Sequence, residues 1–194
     1  TVRHLERWAL ESECRGGQLN KQADAFGTYT GVHATAITAA HLPNAAVQVW
    51  ADGKDVGEHT VSAGGVITLT TAAQNVVYGL YYRARWKSTK LAYAAQNGSA
   101  LNQRHVFNHL GVILVDTHYQ GLKYGPDFDN LSPLPGVEGG TTVATNTIHS
   151  HYDRDPFEFD GEWGPDSRLC LQAEAPRPCC ILAATLPIEE RSKT

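Results

Sequence analysis

Apolar and polar residues alternate along much of this chain, and that period of two predicts strands. Val47-Gln-Val-Trp-Ala runs into Asp52-Gly53, which predicts a strand entering a tight hairpin turn. A short strand over His59–Ser62, a turn at Ala63-Gly64-Gly65 and a third strand over Val66–Thr70 complete an antiparallel meander. Val76 to Lys87 alternates over a longer span. Val76, Tyr78, Leu80, Tyr82, Ala84 and Trp86 fall on one face, read as core, and Arg83, Arg85 and Lys87 on the other. The most apolar run, Leu110 to Val115, is rich in β-branched residues and contains Gly111, so it reads as a central strand with both faces covered near Val112–Val115. Arg168–Glu174 and Cys180–Leu186 predict a final hairpin whose connection, Pro176-Arg177-Pro178, cannot continue either ladder.

Elsewhere the pattern is weaker. Over Thr1–Gly17 the spacing of Val2, Leu5, Trp8 and Ala9 fits a helical stripe stopped at Gly16-Gly17, with a strand as the alternative. Val32–His41 is Ala- and Thr-rich and reads as weakly structured. Pro126–Ile148 carries Asp127, Asp129, Asn130, Pro133, Pro135, Gly136, Gly139 and Gly140, the look of a long surface loop. The organisation expected is an entry segment over 1–40, a small meander over 41–75, a main antiparallel domain over 76–190 and a charged tail over 191–194. The fold class is all-β: an antiparallel β-sandwich-like domain with a small β-meander and long loops.

Composition narrows the function. The chain has 194 residues, of which 42% are hydrophobic, enough for one good core or two small ones. A formal net charge of -4 lacks the basic footprint of a nucleic-acid clamp. No apolar run approaches the ~18–20 residues of a membrane-crossing helix, so no membrane insertion is expected. The chain contains no Met and opens Thr-Val-Arg-His, which suggests a piece of something longer or a processed product. Cys14, Cys170, Cys179 and Cys180 form no Cys-x-x-Cys and read as reduced structural thiols.

Several groups have the residue types of a site. His149, His151, Asp153 and Asp155 would share one strand face and could hold a divalent ion, although polar residues on a solvated strand explain them as well. Asp116 and His118 end the apolar strand, where a carboxylate beside a histidine could serve acid–base chemistry or simply close the strand end. Asp127, Asp129 and Asn130 resemble a loose calcium loop without the ligand count of an EF-hand. No nucleophile elbow, phosphate loop or zincin motif accompanies them. No catalytic residue, metal or cofactor is therefore expected. Arg83, Arg85 and Lys87 are expected on an exposed face, solvated, salt-bridged or in contact with another subunit. Leu131, Leu134, Val137, Val143 and Ile148 are spaced along the long loop as separate apolar pegs, suited to shallow pockets on a neighbouring chain.

Three stretches together carry a resemblance. They are Gly79-Leu-Tyr-Tyr-Arg-Ala-Arg-Trp-Lys87; His109 to His118 running into Leu122-Lys-Tyr-Gly-Pro-Asp-Phe-Asp129; and Phe157-Glu-Phe-Asp-Gly-Glu-Trp163 with Arg168-Leu-Cys-Leu171 and Ala175-Pro-Arg-Pro178. Trp50-Ala-Asp-Gly53 after His41-Leu42, and Val2-Arg-His-Leu-Glu-Arg7, add to it. Most of the chain resembles the C-terminal part of the tail nozzle, or tail tubular protein B, of short-tailed bacteriophages. The resemblance implies an all-β body following a β-propeller, in a ring of identical subunits (six in known nozzles). It also implies adaptor and fibre proteins as neighbours, a channel through which DNA passes, assembly in the bacterial cytoplasm and a place in the virion. No catalytic residues come with it. Two alternatives stand beside this reading. One is a receptor- or carbohydrate-binding β-sandwich of a tail fibre or spike, using exposed aromatics such as Tyr119, Tyr124 and Trp163. The other is a metal-dependent hydrolase built on Asp116, His118 or the His149–Asp155 cluster.

Overall fold

The computed structural model describes residues 8–90, 94–95, 98–99, 104–154 and 156–190. The fold is all-β and antiparallel; the helical structure among the described residues is a single 3-10 turn, Glu11–Glu13. Val2 and Leu5 of the expected helical stripe lie outside the described residues, and Trp8 is 90% exposed, so it does not anchor a helix face. The chain divides into two compact units, residues 1–83 with 174–178 and residues 84–173 with 179–194. The boundary expected at residue 76 instead falls inside a continuous strand.

The first unit is a sheet of β1 (Asp24–Thr38), β2 (Ala46–Ala51), β3 (Lys54–Thr60) and β4 (Val66–Leu80), in the order β1-β4-β2-β3. The hairpin at Asp52-Gly53 forms as the alternation predicts. Both residues have positive φ, 48° and 81°, the conformation a two-residue hairpin turn requires and Asp-Gly tolerates. The meander strand expected over His59–Ser62 begins earlier, at Lys54. β1 corrects the reading of Val32–His41 as weakly structured: it is a 15-residue strand paired along β4. Its register shifts between Thr30 and Ala34 and again between Ala34 and Ala36, so residues bulge out and the ladder bends. Ile37, Ile67 and Leu69, beyond the bulges, pack into one apolar cluster with Val47, Val49, Val76 and Tyr78, before them. The bent ladder thus folds over its own sheet. On the sheet's other face Trp50 and Val77 are cross-strand partners, both buried. The Trp50 indole N–H donates to the Gly17 carbonyl at 2.8 Å, which draws the segment before β1 across that face. This explains why Val76, Val77 and Tyr78 are all buried where alternation predicted one face only.

In the second unit the chain continues through β5 (Arg83–Lys87), β6 (Ala94–Ala95), β7 (Gly98–Ser99), β8 (His105–Phe107), β9 (His109–His118) and β10 (Leu122–Gly125). After these come β11 (Ser132–Pro133), β12 (Val137–Glu138), β13 (Thr141–Thr142), β14 (Ile148–Asp153) and β15 (Phe157–Glu158), then β16 (Cys170–Glu174), β17 (Cys180–Thr185) and β18 (Ile188–Glu190). β9 is central: β14 and β15 pair along one edge and β17 along the other. Its Leu110, Val112 and Leu114 are buried, while Gly111, Ile113 and Val115 are half-buried, so one face is core and the other only partly covered. A second sheet runs β11-β10-β16-β5. Leu122 and Tyr124 of β10 and Leu171 of β16 join the β9 side chains, Tyr152 and Phe159 in one apolar cluster, a sandwich of two sheets. β16 and β17 do not form the expected hairpin. They sit in different sheets, β16 pairing with β10 and β17 with β9, and the stretch Glu174–Pro178 between them belongs to the first unit. There Arg177 Nε donates to Asp55 Oδ2 at 2.8 Å and Asn20 Nδ2 donates to the Pro176 carbonyl at 2.6 Å. Cys170 and Cys179 therefore do not face each other across a hairpin, and all four cysteines are free thiols.

Candidate interface

β5 is an edge strand, exposed at all five residues, so its basic row does lie on the surface. Its alternating core face is corrected: Trp86 is 53% exposed, and the strand is separated from β4 by a break at Tyr81-Tyr82. The cations are tethered within the chain. Arg83 Nε donates to the Tyr81 hydroxyl at 2.7 Å and lies 3.8 Å from a Glu174 carboxylate oxygen. Arg85 Nε donates to Gln172 Oε1 at 2.7 Å, and its guanidinium sits over the Phe128 ring at 4.9 Å. Lys87 faces a cleft of about 840 Å³ in the second unit, bordered also by Asp127, Asp160, Glu162, Trp163 and Arg168.

The loop after β10 is more structured than its composition suggests. Asp127 Oδ1 accepts the backbone N–H groups of Asp129 and Asn130, each at 2.8 Å, and the Asn130 side-chain amide donates to both carboxylate oxygens. The Asn130 amide and then these backbone donors hold the Asp127 carboxyl below its ordinary range. The group suggestive of a calcium loop is thus an internally bonded turn. It carries the Asn130 carbonyl to where a Cβ on residue 125 would stand, 1.9 Å from it, so only glycine fits at Gly125. Leu134 is corrected as a peg: it is 3% exposed and belongs to the second unit's own core. Val137 is 58% exposed, and Leu131, Val143 and Ile148 are half-buried. Val137–Glu138 pairs with Thr141–Thr142 around Gly139 and Gly140, both at positive φ, as a small hairpin. Two short runs around Gly-Gly are a hairpin signal that the sequence reading passed over.

β14 carries the histidine cluster. His149 is largely buried, with its ring edge-on to Tyr152 at 5.2 Å. His151 and Asp153 are exposed, and Asp155 lies outside the described residues. Among the described residues no three metal-ligating side chains converge. The partner of His149 is Glu138, at 3.6 Å, and Glu138 also meets Arg154 at 2.9 Å; spacing along the chain gave no sign of either. Burial, only partly offset by Glu138 and reinforced by Arg154, lowers the His149 pKa below its ordinary value. At the end of β9, Asp116 adopts a positive φ of 45°. His118 is buried; its Nδ1 accepts the Gln120 N–H at 3.0 Å, and its Nε2 lies 3.4 Å from Asn146 Oδ1. These bonds close the β9–β10 turn and pin the end of the long loop. Of the aromatics considered for sugar stacking, Tyr124 is core, only 6% exposed, while Trp163 is 43% exposed at the cleft.

No family model and no curated protein matches this chain.

Proposed function

We propose that this chain is a structural component of a short-tailed phage virion, of the tail nozzle or tubular type, contributing one subunit's wall to a homo-oligomeric ring around the DNA-exit channel. The observation that carries this reading is the arm formed by residues 136–147. Its β12–β13 hairpin presents Val137 to solvent, has a glycine tip, and contributes none of the side chains of the second unit's buried core. A hairpin that offers an exposed valine suits a shallow pocket on the next copy. In a ring built by heterologous contacts one arm serves every interface. The sequence resemblance implies six copies, with adaptor and fibre proteins as further neighbours. The net charge of -4 suits a wall along which DNA slides without being held. No enzymatic step is part of the proposal.

The test is assembly. Deleting Val137–Asn146 and bridging with Gly-Ser, and separately substituting Val137→Asp, should abolish rings in sedimentation and in particle images while leaving the β-rich spectrum intact. Rings of normal stability in both variants would remove the arm from assembly. A second reading, a carbohydrate-binding module, is favoured by Trp163 at the cleft. It predicts quenching of Trp fluorescence by neutral oligosaccharides that Trp163→Ala abolishes. The burial of Tyr124 removes one of the three rings considered for that reading, while Tyr119 is half-buried.

A further inference from the structure

Glu138 is the carboxylate on which the arm closes. It sits on β12, next to the Gly139-Gly140 turn, and reaches His149 of β14 and Arg154 just after that strand. Oε2 pairs with Arg154 Nη2 at 2.9 Å, and Oε1 lies 3.6 Å from His149 Nε2. Oε1 is buried and makes no hydrogen bond among the described residues, so its desolvation is offset only by the charges and ring beside it. Tyr152 forms the floor: its buried ring is edge-on to His149 and lies 5.6 Å beneath the Arg154 guanidinium. β9 runs alongside, with Thr117 opposite His149 and with Asp116 and His118 on either side of Thr117. His151, on β14 itself, is exposed.

Resting on the assembly reading above, we propose that Glu138 is a clasp that holds the β12–β13 hairpin against β14 between Arg154 and His149, that it sets how Val137 is offered to the neighbouring subunit, and that mild acid opens it. With the clasp closed, His149 is nearly shut off from water and stands close to a second cation, Arg154; both oppose its protonation more than Glu138 favours it. An open clasp hydrates His149 and lets it take a proton at its ordinary value, near 6.5. The open form therefore binds protons more readily than the closed form. Closure is fully favoured above that value and weakens as pH falls through it. Glu138 is a positioning residue in this scheme: it touches no partner itself but fixes the residue beside it.

The experiment uses the whole chain in its unassembled form. The His149 imidazole is titrated by NMR, and hydrogen-exchange protection of residues 137–142, corrected for intrinsic rates, is compared at pH 7.5 and 5.0. In the unmodified chain the His149 midpoint should lie below 6.5, and protection should fall several-fold on acidification. Glu138→Gln should leave the clasp open, reduce protection at both pH values and bring the midpoint up towards 6.5. Arg154→Gln should raise the midpoint. His149→Gln should keep the protection seen at pH 7.5 and remove its dependence on pH. A midpoint that neither Glu138→Gln nor Arg154→Gln moves would overturn the clasp, and so would an acid loss of protection that survives His149→Gln. A clasp that behaves as described in a chain that never forms rings would leave the clasp standing and remove the assembly role.

Discussion

A single carboxylate joins a turn to a strand in the first unit. Asp52 opens the β2–β3 hairpin, and its carboxylate accepts the backbone N–H groups of Gln74 and Asn75, at 3.1 and 2.8 Å, beside the bent part of β4. Those bonds, led by the Asn75 N–H, hold its carboxyl below the ordinary aspartate value of 3.8. The stability they contribute is present above that value and is lost as pH falls through the lower value of the folded chain. Asp52→Ala should cost about 1–2 kcal/mol in denaturant titrations, while Asp52→Asn, which keeps an acceptor and tolerates the positive φ, should cost less than half of that. An equal loss in the two variants would show that charge, and not acceptance by a fixed oxygen, is what matters. Leu134 and Val137 form a second contrast. Leu134→Ala should destabilise the second unit by about 2–5 kcal/mol, because it opens a cavity in a packed core. Val137→Ala should stay within about 0.5 kcal/mol, as an exposed position does. Gly161 is a third case: a Cβ there would stand 2.2 Å from the Phe107 carbonyl oxygen. Gly161→Ala should cost about 1–3 kcal/mol, the range for overpacking, and Gly136→Ala, where nothing lies within 4 Å, should be tolerated sterically.

Among the elements, those readable from sequence carry a strong pattern of their own. The β2–β3 hairpin was legible because Val47 and Val49 keep strict alternation and Asp-Gly suits the turn that follows. β9 was legible because its apolar run is too rich in β-branched residues for a helix. β1 was not, since Gly27, Gly31 and the bulges after Thr30 break the period that alternation relies on. The supposed final hairpin failed for a different reason: β16 pairs with β10 and β17 with β9, pairings fixed by residues far away in sequence. The same limit hid the Glu138–His149–Arg154 cluster, whose members come from β12, from β14 and from the residue after it, and β12 and β14 do not pair with each other. The exposed edges share one property. β5 is basic, β3 places charged or polar residues at most positions, and β1 and β17 carry register shifts. Charges and bulges discourage strand addition. Contacts between copies are therefore expected through loops such as the arm and not through continuous sheets. If copies assemble into the proposed ring, cross-linking should join residues 136–147 to a neighbour more heavily than residues of β1 or β17.

For the molecule as a whole, the division into two units does not follow the order of the chain. Glu174–Pro178 lies with the first unit although the stretch Ala84–Ala173 comes between. As the polypeptide leaves the ribosome, Asp55 and Asn20 are made long before Arg177 and Pro176, and the Asn20–Pro176 bond spans a separation of 156 residues. Closing so long a loop is entropically costly until the intervening stretch has collapsed. The final fastening of the first unit is thus a late event in synthesis. A nascent chain stalled at residue 173 should be cut by protease within 14–23 and around Asp55 faster than the released full-length chain. That sensitivity should vanish once translation has carried Pro178 clear of the exit tunnel.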